Sequence, residues 1–186
     1  ATIATLAKKL PQLALVNAYG STETTSPTTI MTAGLGTTHA DSVGQVVPCG
    51  DVRVMDDQGR EVPRGESGEL WIGGPMVVPG YWNNPTATQS AFVAGYWRSG
   101  DIGTMDGEGF VRIHDRMKDM INRGGYKIYS AEVENVMSHH PNVLESALVP
   151  IPDPVLREKS QAFVVPRNEP LNVDELRAFC QQHLSD

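Results

Sequence analysis

The spacing of apolar residues changes twice along the chain, and these changes divide it into three stretches. In the first, Ile3, Leu6, Ala7 and Leu10 fall at i, i+3, i+4 and i+7, the face of a short helix, and Pro11 stops it. Leu13–Tyr19 is a compact apolar run ending at Gly20, which predicts a buried strand. The loop that follows, residues 20–27, is rich in small hydroxyl residues. The carboxyl end of a buried strand is where open α/β sheets bind ligands. Residues 28–40 carry Gly and Thr without periodicity and predict a mobile loop.

From Ser42 the period drops to two. Val43, Val46 and Val47 sit among Gly44 and Pro48, and residues 51–56 alternate up to a turn at Asp57-Gln-Gly59. Residues 68–73 alternate as well, with Leu70 and Ile72 on one face. Trp71 and Trp82 read as core or rim packing. Pro79-Gly80 and Asn83-Asn84-Pro85 are turns, and residues 86–92 suit a short helix. Short strands with frequent turns predict a small β-barrel or sandwich.

In the last stretch, residues 120–123 and 126–128 flank Gly124-Gly125 as a hairpin. Ser130 reads as the cap of a helix with Glu132 in its first turn, Val133, Val136 and Met137 inward, and Pro141 beyond its end. Residues 143–149 and 161–165 read as strands with a loop at 153–159. Asn172 to Glu175 has the form of a capping box. Val173, Leu176, Phe179, Cys180 and Leu184 then line one helical face. The fold class is therefore α/β and α+β, ending in a small βαβ-type domain.

Composition narrows the function. The 186 residues suit one or two small domains, and a net charge of −7 argues against a nucleic-acid partner. There is no apolar run long enough for a transmembrane segment and no secretory signal, and the first residue is Ala, which suggests a fragment or a processed chain. Cys49 and Cys180, far apart, read as buried thiols in a reducing, cytoplasmic setting. His139 and His140 suit a helix end. His39, His114 and His183 are scattered, so neither a metal cluster nor a nucleophile–His–acid arrangement is expected.

Charge and glycine are densest between Tyr96 and Glu134, which reads as a hinge with nucleotide-binding residues on its near side. Tyr19-Gly-Ser-Thr-Glu23, Trp97-Arg-Ser-Gly-Asp101, and the run through Gly109, Asp115-Arg-Met-Lys118, Gly124-Gly125 and Glu132-Val-Glu134 resemble, in order and spacing, three core motifs of the adenylate-forming (AMP-binding) enzymes. That superfamily includes acyl-CoA synthetases, firefly luciferase and the adenylation domains of peptide synthetases. Gly68-Glu-Leu-Trp-Ile72 and Gly80-Tyr-Trp-Asn-Asn-Pro85 resemble its barrel segment, so the resemblance covers nearly the whole chain. Asp115-Arg-Met-Lys-Asp-Met-Ile121 is most similar to the acyl-CoA synthetases.

The resemblance implies a carboxyl-terminal portion of a ligase. Residues 1–41 would end an adenylate-binding α/β subdomain, 42–117 would form a distorted β-barrel, and 118–186 a mobile, incomplete C-terminal domain. It implies ATP, Mg²⁺ and coenzyme A, with a small carboxylic acid, a fatty acid among the candidates, converted to acyl-AMP and then to a thioester. Asn17, Ala18, Tyr19, Gly20, Thr22, Asp101 and Arg116 would line the nucleotide. Tyr19 would lie on the adenine, Thr22 at the α-phosphate, Glu23 on Mg²⁺, Asp101 on the ribose hydroxyls and Arg116 on ribose or phosphate. Lys118 would be the hinge of domain alternation, and Asn122, Gly124 and Gly125 would approach the CoA arm. Val16 and residues 24–29 could line one wall of the acid pocket.

Departures bear on this. Asn122 stands where luciferase-like relatives carry lysine, which leaves thioester chemistry open, and Ser99 stands where Thr is frequent. The family's Ser/Thr/Gly-rich phosphate loop and its Pro…Gly-Lys segment do not occur in these 186 residues. An N-terminal domain of the same parent chain is thus an expected partner, and the isolated chain is expected to have negligible adenylation activity. The alternatives are an adenylation domain of a peptide synthetase or aryl-acid ligase, and a non-enzymatic adenylate-binding scaffold.

Overall fold

The computed structural model describes residues 2–36, 38–167 and 170–184, in two compact units, 1–113 and 114–186. Helix α1 (Thr2–Lys9) forms where the spacing predicts it, although the side chains of Ile3 and Ala7 on its expected apolar face lie outside those described. The first unit is then built on antiparallel strands: β1 (Ala18–Tyr19), β2 (Thr29–Ile30), β3 (Gly44–Val46), β4 (Asp51–Met55), β5 (Gly68–Gly73), β6 (Phe92–Val93), β7 (Tyr96–Met105) and β8 (Phe110–Arg116, whose last three residues fall in the second unit), with helix α2 (Pro85–Ala91) before β6. Their order is β1-β2-β3-β8-β7-β5-β4, with β6 also on β7. The path is open from β1 to β4, so the expected barrel is a mixed sheet-and-helix unit without closure.

Alternation fixes which face is buried. Val52 and Val54 of β4, Leu70 and Ile72 of β5, Trp97 and Met105 of β7 and Val111 of β8 make one cluster, with Leu70, Ile72 and Val111 wholly inaccessible. Each such side chain contributes roughly 1.5–3 kcal/mol by burial. Asn84 caps α2, accepting from the Ala87 amide at 3.0 Å, and Pro85 occupies its first turn.

Four sequence expectations fail here, each decided by the tertiary structure. The run 13–19 is not a buried strand: only Ala18 and Tyr19 pair, and Leu13, Leu15 and Val16 are exposed, with no described element packed over them. Residues 28–40 are not all loop, because β2 sits between β1 and β3 and hides Thr28, Thr29 and Met31. Trp82 is 92% exposed on its turn, whereas Trp71 is half-buried. Cys49 is likewise exposed, while burial pushes the half-buried Cys180 thiol up.

The second unit follows the order strand–strand–helix–strand–strand–helix. It holds β9 (Ile121–Arg123), β10 (Tyr126–Ile128), α3 (Ser130–Ser138), β11 (Val143–Asp153), β12 (Arg157–Pro166) and α4 (Val173–His183). Every pairing in its sheet, ordered β10-β9-β12-β11, is antiparallel, so the βαβ-type element order is present without a parallel neighbour pair. Ile121, Met137, Val143, Leu148 and Leu176 form its core. Asn172 caps α4 as expected, accepting from Asp174 N at 3.1 Å and Glu175 N at 3.4 Å.

Ser130 does not cap α3. Tyr129 holds that position, the Ser130 hydroxyl donates to the Asp119 carbonyl, and the carboxylate of Asp115 accepts from Ala131 N at 3.3 Å. An acid from 16 residues upstream thus serves the helix N-terminus.

β11 and β12 are longer than the alternation predicted, and only residues 154–156 turn between them. Asp153 holds that turn. It pairs with Lys159 at 2.5 Å and accepts from Leu156 N at 2.8 Å and Val155 N at 2.9 Å. Lys159, then these amides, hold its carboxyl down at about 2. A depressed carboxyl stabilises the fold above its unfolded pKa of about 3.9, and that contribution fades as pH falls towards about 2. Backbone amide shifts of residues 153–159 should therefore stay constant down to about pH 4 and move only below it. Movement centred above pH 4 would contradict the pairing.

Candidate functional site

The polar chemistry of the first unit gathers around the end of β1. Tyr19 is half-buried, and its hydroxyl donates to Oδ2 of Asp101 at 2.6 Å, across 82 residues of sequence. Asn17 donates through Nδ2 to the Ser42 carbonyl at 3.0 Å, and its own carbonyl accepts from Met31 N at 2.8 Å, so it fastens β1 to its neighbours. Ala18 is exposed on β1. Gly20 is tightly enclosed: a Cβ there would stand 3.0 Å from the Ser26 hydroxyl and 3.1 Å from Thr28 N.

Next comes a single 3-10 turn, Thr22–Thr24. The Thr24 hydroxyl closes it onto the Ser21 backbone: Ser21 N donates to Thr24 Oγ1 at 3.0 Å, and that hydroxyl donates to Ser21 O at 3.1 Å. Thr24 is buried and Thr22 exposed. The turn is tied to residues 76–78 by Thr25 Oγ1 on Met76 O at 2.5 Å and Val78 N on Glu23 O at 2.8 Å.

Glu23 is therefore held on a fixed backbone. Its Oε1 accepts from the Tyr81 hydroxyl at 2.8 Å and its Oε2 from the Ser21 hydroxyl at 3.1 Å. Tyr81 is itself placed by Trp97 Nε1 at 3.3 Å and by the edge of Phe92 at 5.5 Å. Burial pushes the Glu23 carboxyl up, but the bonds from Tyr81, its own backbone and Ser21 together outweigh it and leave the group below its ordinary value. Burial first, and then the Glu23 bond, push the Tyr81 hydroxyl up. Glu23 is thus an ionised, half-buried, oriented carboxylate. Such a group fits a Mg²⁺ site that takes one or two carboxylates plus phosphate oxygens. Among the described residues no three His, Cys, Asp or Glu side chains converge on a metal position. Tyr81→Phe should raise the Glu23 titration midpoint, read from its carboxyl carbon by NMR. An unchanged midpoint would mean the hydroxyl does not act on the carboxylate.

Asp101 owes its place to an irregularity in β7. Glu69 pairs with Ile102 and Trp71 with Arg98, so Leu70 alone faces Ser99, Gly100 and Asp101. Gly100 takes φ +72° in this bulge, a conformation that favours glycine. The Ser99 hydroxyl bridges it, donating to Leu70 O at 2.7 Å and accepting from Asp101 N at 3.0 Å. A hydroxyl is what the position uses, which accounts for Ser serving in place of Thr.

Arg116, Lys118, Asn122, Gly124 and Gly125 belong to the second unit. Arg116 ends β8, and Lys118 is exposed on a turn closed by Asp119 N and Met120 N on Arg116 O at 2.9 and 3.0 Å. Gly124 and Gly125 take φ +62° and +99°, the signs a type I′ hairpin requires between Arg123 and Tyr126. Asn122 Oδ1 accepts from Gly125 N at 3.0 Å, and Gly124 N donates to Leu156 O at 2.7 Å. Asn122 thus shapes the hairpin tip, and Gly125 presents open backbone there.

The AMP-binding enzyme family profile matches residues 1–82, and that of the AMP-binding enzyme C-terminal domain matches residues 132–186. The chain belongs to the AMP-binding enzymes. It is 44% identical to a long-chain-fatty-acid–CoA ligase of Yersinia pestis over 79% of its length and 26% of that protein's. It is 38% identical to a feruloyl-CoA synthase of an Amycolatopsis species over 93% and 35% of the respective lengths. It thus spans about a quarter to a third of these relatives. Among solved structures, o-succinylbenzoate CoA synthetase of Bacillus subtilis, in complex with its acyl-adenylate intermediate, superposes with a TM-score of 0.89 at 29% identity, covering 99% of this chain and 37% of that one. An amide bond synthetase of Marinactinospora thermotolerans gives 0.78 at 35%, covering 92% and 36%.

Four residues of this AMP-binding chain that touch the site went unnoticed in the sequence. Ser21, Tyr81 and Trp97 serve Glu23, and Glu69 serves the Asp101 bulge. All four lie inside stretches that carried the family resemblance, which was the available signal, but two act at long range, Tyr81 and Glu69. Their roles depend on pairings 58 and 31 residues away, which no local pattern encodes.

Proposed function

We propose that the chain supplies the ribose-binding and carboxylate-activating half of an acyl-CoA synthetase, an ATP-dependent acid–thiol ligase that forms AMP. The observation that carries this reading is the convergence of Tyr19 and Asp101 at 2.6 Å, beside a turn that fixes Thr22 and the ionised Glu23. Tyr19 offers an aromatic face for adenine, and stacking of a base on such a face is worth roughly 1–3 kcal/mol. Asp101 accepts from the ribose hydroxyls. Thr22, with the backbone of residues 20–22, contacts the α-phosphate, and Glu23 holds Mg²⁺, which offsets the charge of the phosphates when bound.

The acid carboxylate attacks the α-phosphorus of ATP, pyrophosphate leaves, and the acyl-AMP so formed is taken by the coenzyme A thiol with release of AMP. Arg116 assists at ribose or phosphate. Lys118 is the hinge, and the Asn122–Gly125 hairpin lets backbone approach the pantetheine arm, since Gly125 adds no side chain at its tip. The 44% identity to a long-chain-fatty-acid–CoA ligase and the 38% identity to a feruloyl-CoA synthase support a carboxylic acid substrate with a CoA acceptor. The 35% identity to an amide bond synthetase favours a second reading, in which an amine replaces the thiol.

The test is the full-length product of the gene, given ATP, Mg²⁺ and a panel of fatty and aromatic acids with either CoA or amines. AMP release with thioester formation, followed by mass spectrometry, is the expected result. Amide formation with CoA inert would select the second reading, and no AMP from any acid would refute both. In the same protein, Lys118→Pro should slow one half-reaction at least tenfold more than the other, because proline restricts the torsions a hinge needs. Equal loss in pyrophosphate exchange and thioester transfer, with normal folding, would argue against the pivot.

A further inference from the structure

Glu69 is a buried carboxylate, 6% exposed, for which the reaction has no direct use. Four donors converge on it. Arg98 gives Nε at 3.1 Å and Nη2 at 3.0 Å, and Trp71 gives Nε1 at 2.8 Å, all to Oε2. Gly100 gives its backbone amide to Oε1 at 3.3 Å. That last donor sits at the apex of the bulge, between the hydroxyl-bridged Ser99 and the Asp101 that meets Tyr19. Arg98 is fixed in turn, with its guanidinium 5.5 Å from the Trp71 ring on the paired strand.

We propose that Glu69 is a positioning residue: through the Gly100 amide it holds the β7 bulge in the one shape that aims the Asp101 carboxylate, and it thereby sets selectivity for ribonucleotides over deoxyribonucleotides. Two extra residues opposite Leu70 interrupt the regular ladder bonds there. The side-chain bonds of Ser99 and Glu69 replace them. Ser99 fixes the two ends of the bulge, and Glu69 fixes its middle. A buried charge keeps its place only if every partner is in place, so the Arg98–Glu69–Gly100 chain acts as one latch. Gly100 holds φ +72° with nothing within 4 Å of its Cβ position. The selectivity part of the proposal rests on the assignment of Asp101 to ribose.

The test uses the full-length protein that contains this chain, with AMP and 2′,3′-dideoxy-AMP as probes, and the variants Glu69→Gln, Arg98→Met and Asp101→Ala. One readout is the ratio of the two affinities, and the other is the NMR shift of the Asp101 carboxyl carbon without ligand. Glu69→Gln should lower the AMP to dideoxy-AMP ratio about tenfold or more, with dideoxy-AMP affinity unchanged, and should move both the Asp101 carboxyl and the Gly100 amide signals. A residue that only stabilised the sheet would lower both affinities together and leave the ratio alone. If Glu69→Gln does not fold, Arg98→Met, whose side chain is partly exposed, must produce the same two changes. A ratio within twofold of the parent and an unmoved Asp101 signal, in whichever variant folds, overturn the latch. An unchanged ratio in Asp101→Ala would instead defeat the ribose assignment, and the Asp101 signal in Glu69→Gln would still decide whether the latch exists.

Discussion

Asp101→Ala should weaken binding of AMP by about 10- to 150-fold, the equivalent of one charge-assisted hydrogen bond of roughly 1.5–3 kcal/mol. The carboxylate stands on the β7 bulge and already accepts the Tyr19 hydroxyl at 2.6 Å, so its position is set before any ligand arrives. Acceptors held in place lose little entropy on binding, which is why the effect should reach the upper part of that range. Tyr19→Phe is the informative companion. It keeps the ring available for stacking and removes only the donor to Asp101, so its effect should be several-fold smaller. Calorimetric titration of both variants measures this, with thermal melts as the control for folding. AMP affinity unchanged in Asp101→Ala would remove the ribose assignment. A larger loss in Tyr19→Phe would mean that the Tyr19–Asp101 bond, not the carboxylate's bond to ribose, carries the affinity.

Gly44→Ala should destabilise the first unit by about 3 kcal/mol or more. Gly44 takes φ +96°, and a Cβ there would lie 2.1 Å from the carbonyl carbon of Ile30 and 2.2 Å from Met31 N. Both are backbone atoms, so no rotamer relieves the contact. β2 would have to move, and β2 is the strand that pairs with Ala18 and Tyr19 on its other side. The same residue receives support that the shift would break: Gly44 N donates to Ser42 Oγ at 3.0 Å, and that hydroxyl donates to Val111 O at 2.7 Å. A loss of this size lowers the melting temperature by roughly 12 °C or more in a unit of this length. All three tryptophans, Trp71, Trp82 and Trp97, lie in the first unit, so their fluorescence follows its unfolding alone. A melting temperature within about 3 °C of the parent would show that β2 tolerates the displacement.

Where the sequence was legible, the cause was local. Strands β4 and β5 alternate because one face meets a core, and Leu70 and Ile72 are wholly buried as that pattern requires. Asn84 and Asn172 precede helices whose first amides need acceptors. Gly124-Gly125 marks a two-residue hairpin because both positions need positive φ. The motifs around Tyr19–Glu23 and Asp101 marked the family because those residue types stand in that order and spacing.

Where it was not legible, the deciding partner was distant. Burial of residues 13–16 cannot be inferred from their apolarity, since it depends on what packs over them. The cap of α3 comes from Asp115, and the expected Ser130 is spent on Asp119. By itself the sequence determined the membership of the family, the periodic elements and the residue types available for adenylate chemistry. Only the tertiary structure decided that Tyr81 and Trp97 tension Glu23 and that Glu69 and Ser99 shape the bulge carrying Asp101. The physical reason is that periodicity reports one residue's face relative to its neighbours, whereas a hydrogen-bonded site is made by strands that meet only after the sheet has paired.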